Sequence, residues 1–172
     1  MNLEYLKLEI PYKWRIGQVY KARKKASCLA YIDARDVMDL LDFVVGADNW
    51  QDDYKMAGDN TMSGIGINVN GWVWKWDTGT SGNFEAEKSI ISDSFKRAGV
   101  KWGIGRFLYD MEQEWVNVNV EGDKPYPVNE MNGERIWDLS KYINSKDKHE
   151  KRIAKARERL KAVKKEIKEE LE

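Results

Sequence analysis

Residues 61–77 read TMSGIGINVNGWVWKWD, and this stretch decides the fold. Asn70-Gly71 is a strong two-residue hairpin signal, because both positions accept the positive φ that a tight turn demands. Before it, Met62, Ile65, Ile67 and Val69 mark a strand over 61–69. After it, Trp72, Trp74 and Trp76 alternate with Val73, Lys75 and Asp77, so the three indoles share one face of a second strand. Upstream, Trp50 to Met56 predicts a further strand, closed by a turn at Gly58-Asp59-Asn60. Residues 50–79 therefore predict an antiparallel three-stranded meander.

Downstream, TGTSGN (78–83) is a loop. It leads into EAEKSIISDSFKRAGVKWGIG (85–105). Ile91, Phe95, Ala98 and Trp102 fall at i, i+4, i+7 and i+11, one face of an amphipathic helix that should pack on the sheet. Lys96, Arg97 and Lys101 point more to the side, and Arg106 follows the Gly103-Ile104-Gly105 break. The predicted fold class is α+β: a β-β-β-α core plus a charged C-terminal helix. Large aromatics are usually buried at sheet–helix contacts, so burial under this helix or at a subunit contact is favoured for Trp72, Trp74 and Trp76 over an exposed base-stacking platform.

The flanks are simpler. Residues 1–30 read as a mixed arm broken by Pro11, with Tyr12, Trp14 and Ile16 alternating. Leu29 to Ile32 is a short strand. Asp33 can cap a helix in which Val37, Leu40, Leu41 and Val44 form one face and Gly46 is the stop. Residues 110–143 are acidic and irregular apart from an alternating strand at Trp115 to Val120. Residues 146–172 form a charged helix with Ile153, Ala156, Leu160, Val163, Ile167 and Leu171 near heptad spacing. That run is too short for a coiled coil. The expected division is a domain over 1–143 and a charged helix or tail over 144–172.

The 172 residues carry 29 basic and 29 acidic side chains, so the chain is no simple polycation. The charge is segregated instead. Lys13 to Lys25 holds six cations and no acid, and Lys141 to Glu172 holds twelve bases against seven acids. Segregated charge makes local fields at zero net charge. The single Cys28 excludes an internal disulfide and, within an apolar run, reads as a buried thiol. With no signal-like or membrane-length apolar segment, the expectation is a cytoplasmic protein of a bacterium or a phage-infected cell.

No nucleotide-binding glycine motif is present, so no nucleotide cofactor is expected. The only histidine, His149, lies in the charged tail and reads as a surface residue. One His and one Cys cannot build a zinc site or a hydrolytic triad in one chain. Asp53-Tyr54-Lys55 has the D-x-K spacing of some metal-dependent nucleases, with Asp39 or Asp42 as the second acid. This is the alternative enzymatic reading. A third is a protein–protein adaptor built on the acidic 110–138 region and the C-terminal helix.

Cations beside an aromatic suit a nucleic-acid strand, since charges meet phosphates and a ring accepts a base. Two strings carry a family likeness. AYIDARDVMDLLDFVVGADNW (30–50) resembles the start of the conserved domain in the Rad-fifty-two family of single-strand DNA annealing proteins. The matching residues are Tyr31, Gly46 and Trp50. SDSFKRAGVKWGIGRFLYD (92–110) resembles that family's signature helix, matched by Lys96, Arg97, Ala98, Trp102 and Gly103. PYKWRIGQ (11–18) is similar to the phage, Sak-type branch. The resemblance covers about residues 10–110.

It implies subunits set side by side in rings or helical arrays, with single-stranded DNA in a basic groove. Carried over from the family, DNA contact falls on Lys96, Arg97, Tyr31 and Lys21 or Arg23; the acid-free charge run adds Lys24 and Lys25, and Lys101 and Arg106 complete the candidate DNA-binding set. A further family Arg falls on Val100, beside Lys101. Implied partners are single-stranded DNA, further copies of the chain, and a strand-exchange recombinase or single-strand-binding protein. Pairing of complementary strands supplies the free energy, so no cofactor is implied.

Overall fold

The computed structural model describes residues 2–58, 60–79, 86–122 and 124–171. Its strands are β1 (Lys13–Tyr20), β2 (Lys25–Tyr31), β3 (Trp50–Ala57), β4 (Asn60–Asn68), β5 (Trp72–Thr78), β6 (Glu114–Asn119) and β7 (Tyr126–Val128). Its helices are α1 (Ala34–Val45), α2 (Ala86–Trp102), α3 (Leu139–Asn144) and α4 (Asp147–Leu171). The protein is thus mixed α+β with antiparallel sheets. Two compact units divide the chain: Met1–Glu9, Ile32–Phe107 and Arg159–Glu172 in the first, Ile10–Tyr31 and Leu108–Glu158 in the second.

In the first unit, Asp33 caps α1 as expected. Its carboxylate accepts from the Arg35 and Asp36 amides, while the Asp36 carboxylate accepts from the Asp33 amide at 2.7 Å. Val37, Leu40, Leu41, Val44 and Val45 are the buried face, and Gly46 ends the helix at φ 87°. β3, β4 and β5 form an antiparallel sheet in that order. Asn70 and Gly71 take the positive φ values (72° and 130°) that the hairpin signal required.

α2 buries Phe95, Ala98 and Trp102, but Ile91, expected on the same stripe, is 42% exposed. Trp102 Nε1 donates to the Ile65 carbonyl at 2.9 Å, and the buried Ser63 and Ser94 hydroxyls bond each other. These contacts put Ile65, Ile67 and Ser63 on the helix side of β4. The 78–83 loop beyond residue 79, the Asp59 turn position and the expected helix start at Glu85 lie outside the described residues.

The register corrects the placement of the tryptophans. Gly64 pairs with Trp76 and Gly66 with Trp74. Side chains alternate along a strand, so these indoles share the Gly64/Gly66 face, opposite Ile65 and Ile67. Trp72, Trp74 and Trp76 therefore do not pack under α2.

In the second unit the sheet order is β1-β2-β6-β7, all antiparallel. The expected mixed arm is a hairpin: Lys13–Ile16 and Val19–Tyr20 pair with Lys25–Tyr31, with a register shift between Ile16 and Val19. That shift breaks the period-two signal at Gly17-Gln18 and hid the strand. Trp14, Ala26, Cys28, Val116 and Val118 are buried. Burial pushes the Cys28 thiol up to about 11, keeping it inert.

His149 is not a surface residue. It is 5% exposed, with Nε2 3.1 Å from Glu114 Oε1 and Nδ1 3.0 Å from the Tyr12 hydroxyl. An ionised carboxylate only accepts, so Nε2 carries a proton and donates it to Glu114. α4 buries Ile153 and Ala156 in this unit and Val163 in the first. Among the described residues no helix is long and apolar enough to cross a membrane.

Candidate nucleic-acid interface

In the first unit the cations gather at the C-terminal end of α2. Helix spacing sets Arg97 and Lys101 (i, i+4) on one flank and Lys96 about 100° round from Arg97, and the neighbouring edge strand supplies Asp77. Arg97 Nη2 lies 3.4 Å and Lys101 Nζ 3.7 Å from the Asp77 carboxylate, and Lys101 also donates to the Trp76 carbonyl. One carboxylate thus holds two cations and leaves a net positive charge. Lys96 is half-buried and makes no ion pair among the described residues.

Arg106 has a structural task as well. Its guanidinium donates to the Val100 and Lys101 carbonyls (2.8 and 3.1 Å), satisfying acceptors that the helix end leaves open. Lys75, which sequence reasoning missed, does the same: it donates to the Lys101 carbonyl at 3.0 Å and lies 4.0 Å over the Trp102 ring. Burial lowers its pKa first, then repulsion from Arg106 and Lys7. Period two along β5 is the signal that could have found it, because Lys75 shares a face with Asp77 and not with the tryptophans. Lys7 is drawn in by Gly103. At φ 107°, with Lys7 Cγ 2.8 Å from where a Cβ would sit, that position requires glycine. The result is a cationic end to α2: Lys7, Lys75, Arg97, Lys101 and Arg106 against Asp77 and Glu4, with Lys96 further back along the helix.

In the second unit Lys21, Arg23, Lys24 and Lys25 form the turn joining β1 and β2. All four are exposed and none has an ion-pair partner among the described residues. Lys24 adopts φ 49°, so the turn is a tight left-handed one. Tyr31 does not join this cluster. It ends β2, about 20 Å of extended strand from Lys25. There it pairs with Lys13, and Arg15 stands 6.0 Å from its ring centre. Arg15 is therefore the cation that accompanies Tyr31, and the alternation Lys13, Arg15 along β1 was the available signal.

The nuclease alternative finds little support in the geometry. Asp53 and Lys55 do pair, at 3.8 Å. Asp42, one of the two candidate second acids with Asp39, accepts from Trp50 Nε1 at 2.6 Å. Trp50 pairs with Ile67 on the helix side of the sheet, whereas Asp53 pairs with Gly64 on the other. Among the described residues no three His, Cys, Asp or Glu side chains form a metal-ligating group.

Residues 64–126 match the family described as Rad52/22 family double-strand break repair protein. The chain is similar to the single-stranded DNA-binding protein DdrA of Deinococcus deserti, 36% identical over 115 residues, which is 62% of this chain and 54% of that relative. It is also similar to DdrA of Deinococcus radiodurans, 33% identical over 108 residues, 60% of this chain and 51% of that one. The chain spans about half the length of these curated relatives. No solved structure matches. The matched segment runs from within β4 through α2 to the start of β7, so the likeness to the Rad52/22 family includes the cationic end of α2.

Proposed function

We propose that this protein binds single-stranded DNA and anneals complementary strands in recombination and repair, without nucleotide hydrolysis and as a side-by-side homo-oligomer. The observation that carries this reading is the cationic end of α2 within the Rad52/22-family segment. The relatives' description as single-stranded DNA-binding proteins points the same way.

The mechanism follows from charge placement. Lys96, with Arg97 and Lys101 on their shared carboxylate, meets phosphates in the first unit. The unpaired Lys21 to Lys25 turn offers a second set. Phosphate contacts release counterions and grip the backbone without reading sequence, so the bases stay free to pair. Repetition of weak contacts along an array of subunits multiplies them through high effective concentration. Base pairing then drives annealing, which needs no nucleotide.

The test is equilibrium binding of a labelled single strand across a salt series. Lys96→Ala with Arg97→Ala should weaken binding and flatten the log–log salt slope by about 0.7 for each phosphate no longer neutralised. The fold should be unchanged, since neither side chain is buried in the core. Affinity and slope equal to wild type would remove α2 from the interface.

A further inference from the structure

The face of the β3–β4–β5 sheet turned away from α2 carries Trp72, Trp74 and Trp76, and the cationic surfaces above do not use it. A Cβ on Gly64 would stand 2.6, 2.6 and 2.7 Å from Trp76 Cδ2, Cε3 and Cε2. A point so nearly equidistant from three bonded ring atoms lies above the ring, not at its edge. The same holds at Gly66, whose Cβ would stand 2.8 to 2.9 Å from Trp74 Cε2, Cδ2 and Cζ2. Both indoles therefore lie flat on the glycine backbone of β4, and only glycine permits it. Their other faces turn outward.

What occupies those outward faces is informative. Lys55 Nζ sits 4.0 Å from the Trp76 ring centre, a cation on the face that the glycine leaves open. Trp74 is half-buried, and Trp72, at the hairpin end, is 43% exposed. Ring centres are 5.3 Å apart from Trp76 to Trp74 and 6.5 Å from Trp74 to Trp72. A duplex strand rises only about 3.4 Å per base, so these steps suit bases pulled apart along an extended single strand. The charges on this face, Lys55 and Asp53, neutralise each other at 3.8 Å. The face is therefore a poor phosphate site and a good π surface.

We infer that Trp72, Trp74 and Trp76, laid flat on Gly64 and Gly66, form a platform that stacks unpaired nucleobases of a single strand. This rests on the single-strand binding proposed above. It adds a sequence-tolerant stacking contact, which does not release counterions, to the phosphate contacts of α2 and of the β1–β2 turn. Lys55 covers the innermost ring and yields it when a base arrives.

The test compares a labelled thymidine oligonucleotide with an abasic oligonucleotide of equal length, using the full chain and the double variant Trp72→Ala, Trp74→Leu. Leucine still covers Gly66 but has no ring face. Wild type should prefer the thymidine strand by about tenfold for each base stacked, from the usual worth of aromatic stacking. The variant should lose most of that preference while keeping its abasic affinity and its salt slope. Lys96→Ala with Arg97→Ala should instead weaken both arms alike.

If wild type binds both strands equally, the platform is overturned and the phosphate reading stands. If wild type binds neither, the proposed function itself falls. If the variant keeps its base preference but its mass in light scattering drops, the face is a contact between copies of this chain, and the inference is wrong. Should the double variant misfold by circular dichroism, Trp72→Ala alone, at the most exposed ring, must still cut the preference, or the inference fails.

Discussion

Glu114→Gln should cost stability in a way that depends on pH. The Glu114 side chain is 8% exposed. Burial alone would raise its pKa, but hydrogen bonds from Lys146 (2.7 Å), Lys148 and His149 (3.1 Å) outweigh that and hold it at about 2 against an ordinary 4.5. That gap corresponds to about 3 kcal/mol at about 1.4 kcal/mol per pH unit. The Lys146 and Lys148 side chains are 37% and 53% exposed. Water screens part of the attraction, so about 2 kcal/mol is the working figure.

The folded value lies below the unfolded one. The stabilisation is therefore fully present above the unfolded pKa and is lost as pH falls from about 4.5 toward 2. Urea unfolding of wild type and Glu114→Gln at pH 7 should differ by about 2 kcal/mol, or about 4–8 °C in Tm for a chain of this size. Near pH 2 the two should converge. An equal gap at both pH values would show that shape, not charge, holds this site, and would refute the reasoning.

Replacing Lys21, Arg23, Lys24 and Lys25 by Ala should weaken single-strand binding and lower the salt slope by about 0.7 for each phosphate the turn would otherwise neutralise, as titration of a labelled strand would read. Stability should move by less than about 0.5 kcal/mol in urea unfolding, because exposed, unpaired side chains hold nothing together. Asp33→Ala should cost about 1 kcal/mol in the same measurement, since it leaves the Arg35 and Asp36 amides without their cap. Asp33→Asn should recover most of that loss.

Local chemistry was legible in the sequence and long-range pairing was not. The Asp33 cap, the Val37/Leu40/Leu41/Val44 face and the Asn70-Gly71 turn each follow from neighbours within a few residues, and each stands as read. His149 was misread because its partners are far along the chain: Tyr12 at a separation of 137 and Glu114 at 35. No periodicity reveals such a contact. The tryptophan stripe was read correctly as one face, but its side of the sheet was not. That choice depends on the β4 register, where Gly64 and Gly66 rather than Ile65 and Ile67 lie opposite the indoles. Among the candidate cations, helix spacing found Lys96, Arg97 and Lys101. It missed Lys75, which period two along β5 sets on Asp77's face, and Arg15, which the pairing of β1 with β2 brings to Tyr31.

The central claim is that this chain grips a strand by its phosphates and leaves the pairing edges of the bases free to find a complement. It is tested most directly by following the joining of two complementary, dye-labelled strands with the pure protein and no nucleotide. The rate should rise well above the spontaneous one with wild type and fall toward it with Lys96→Ala, Arg97→Ala. Strands that are bound tightly yet join no faster than in buffer would contradict it.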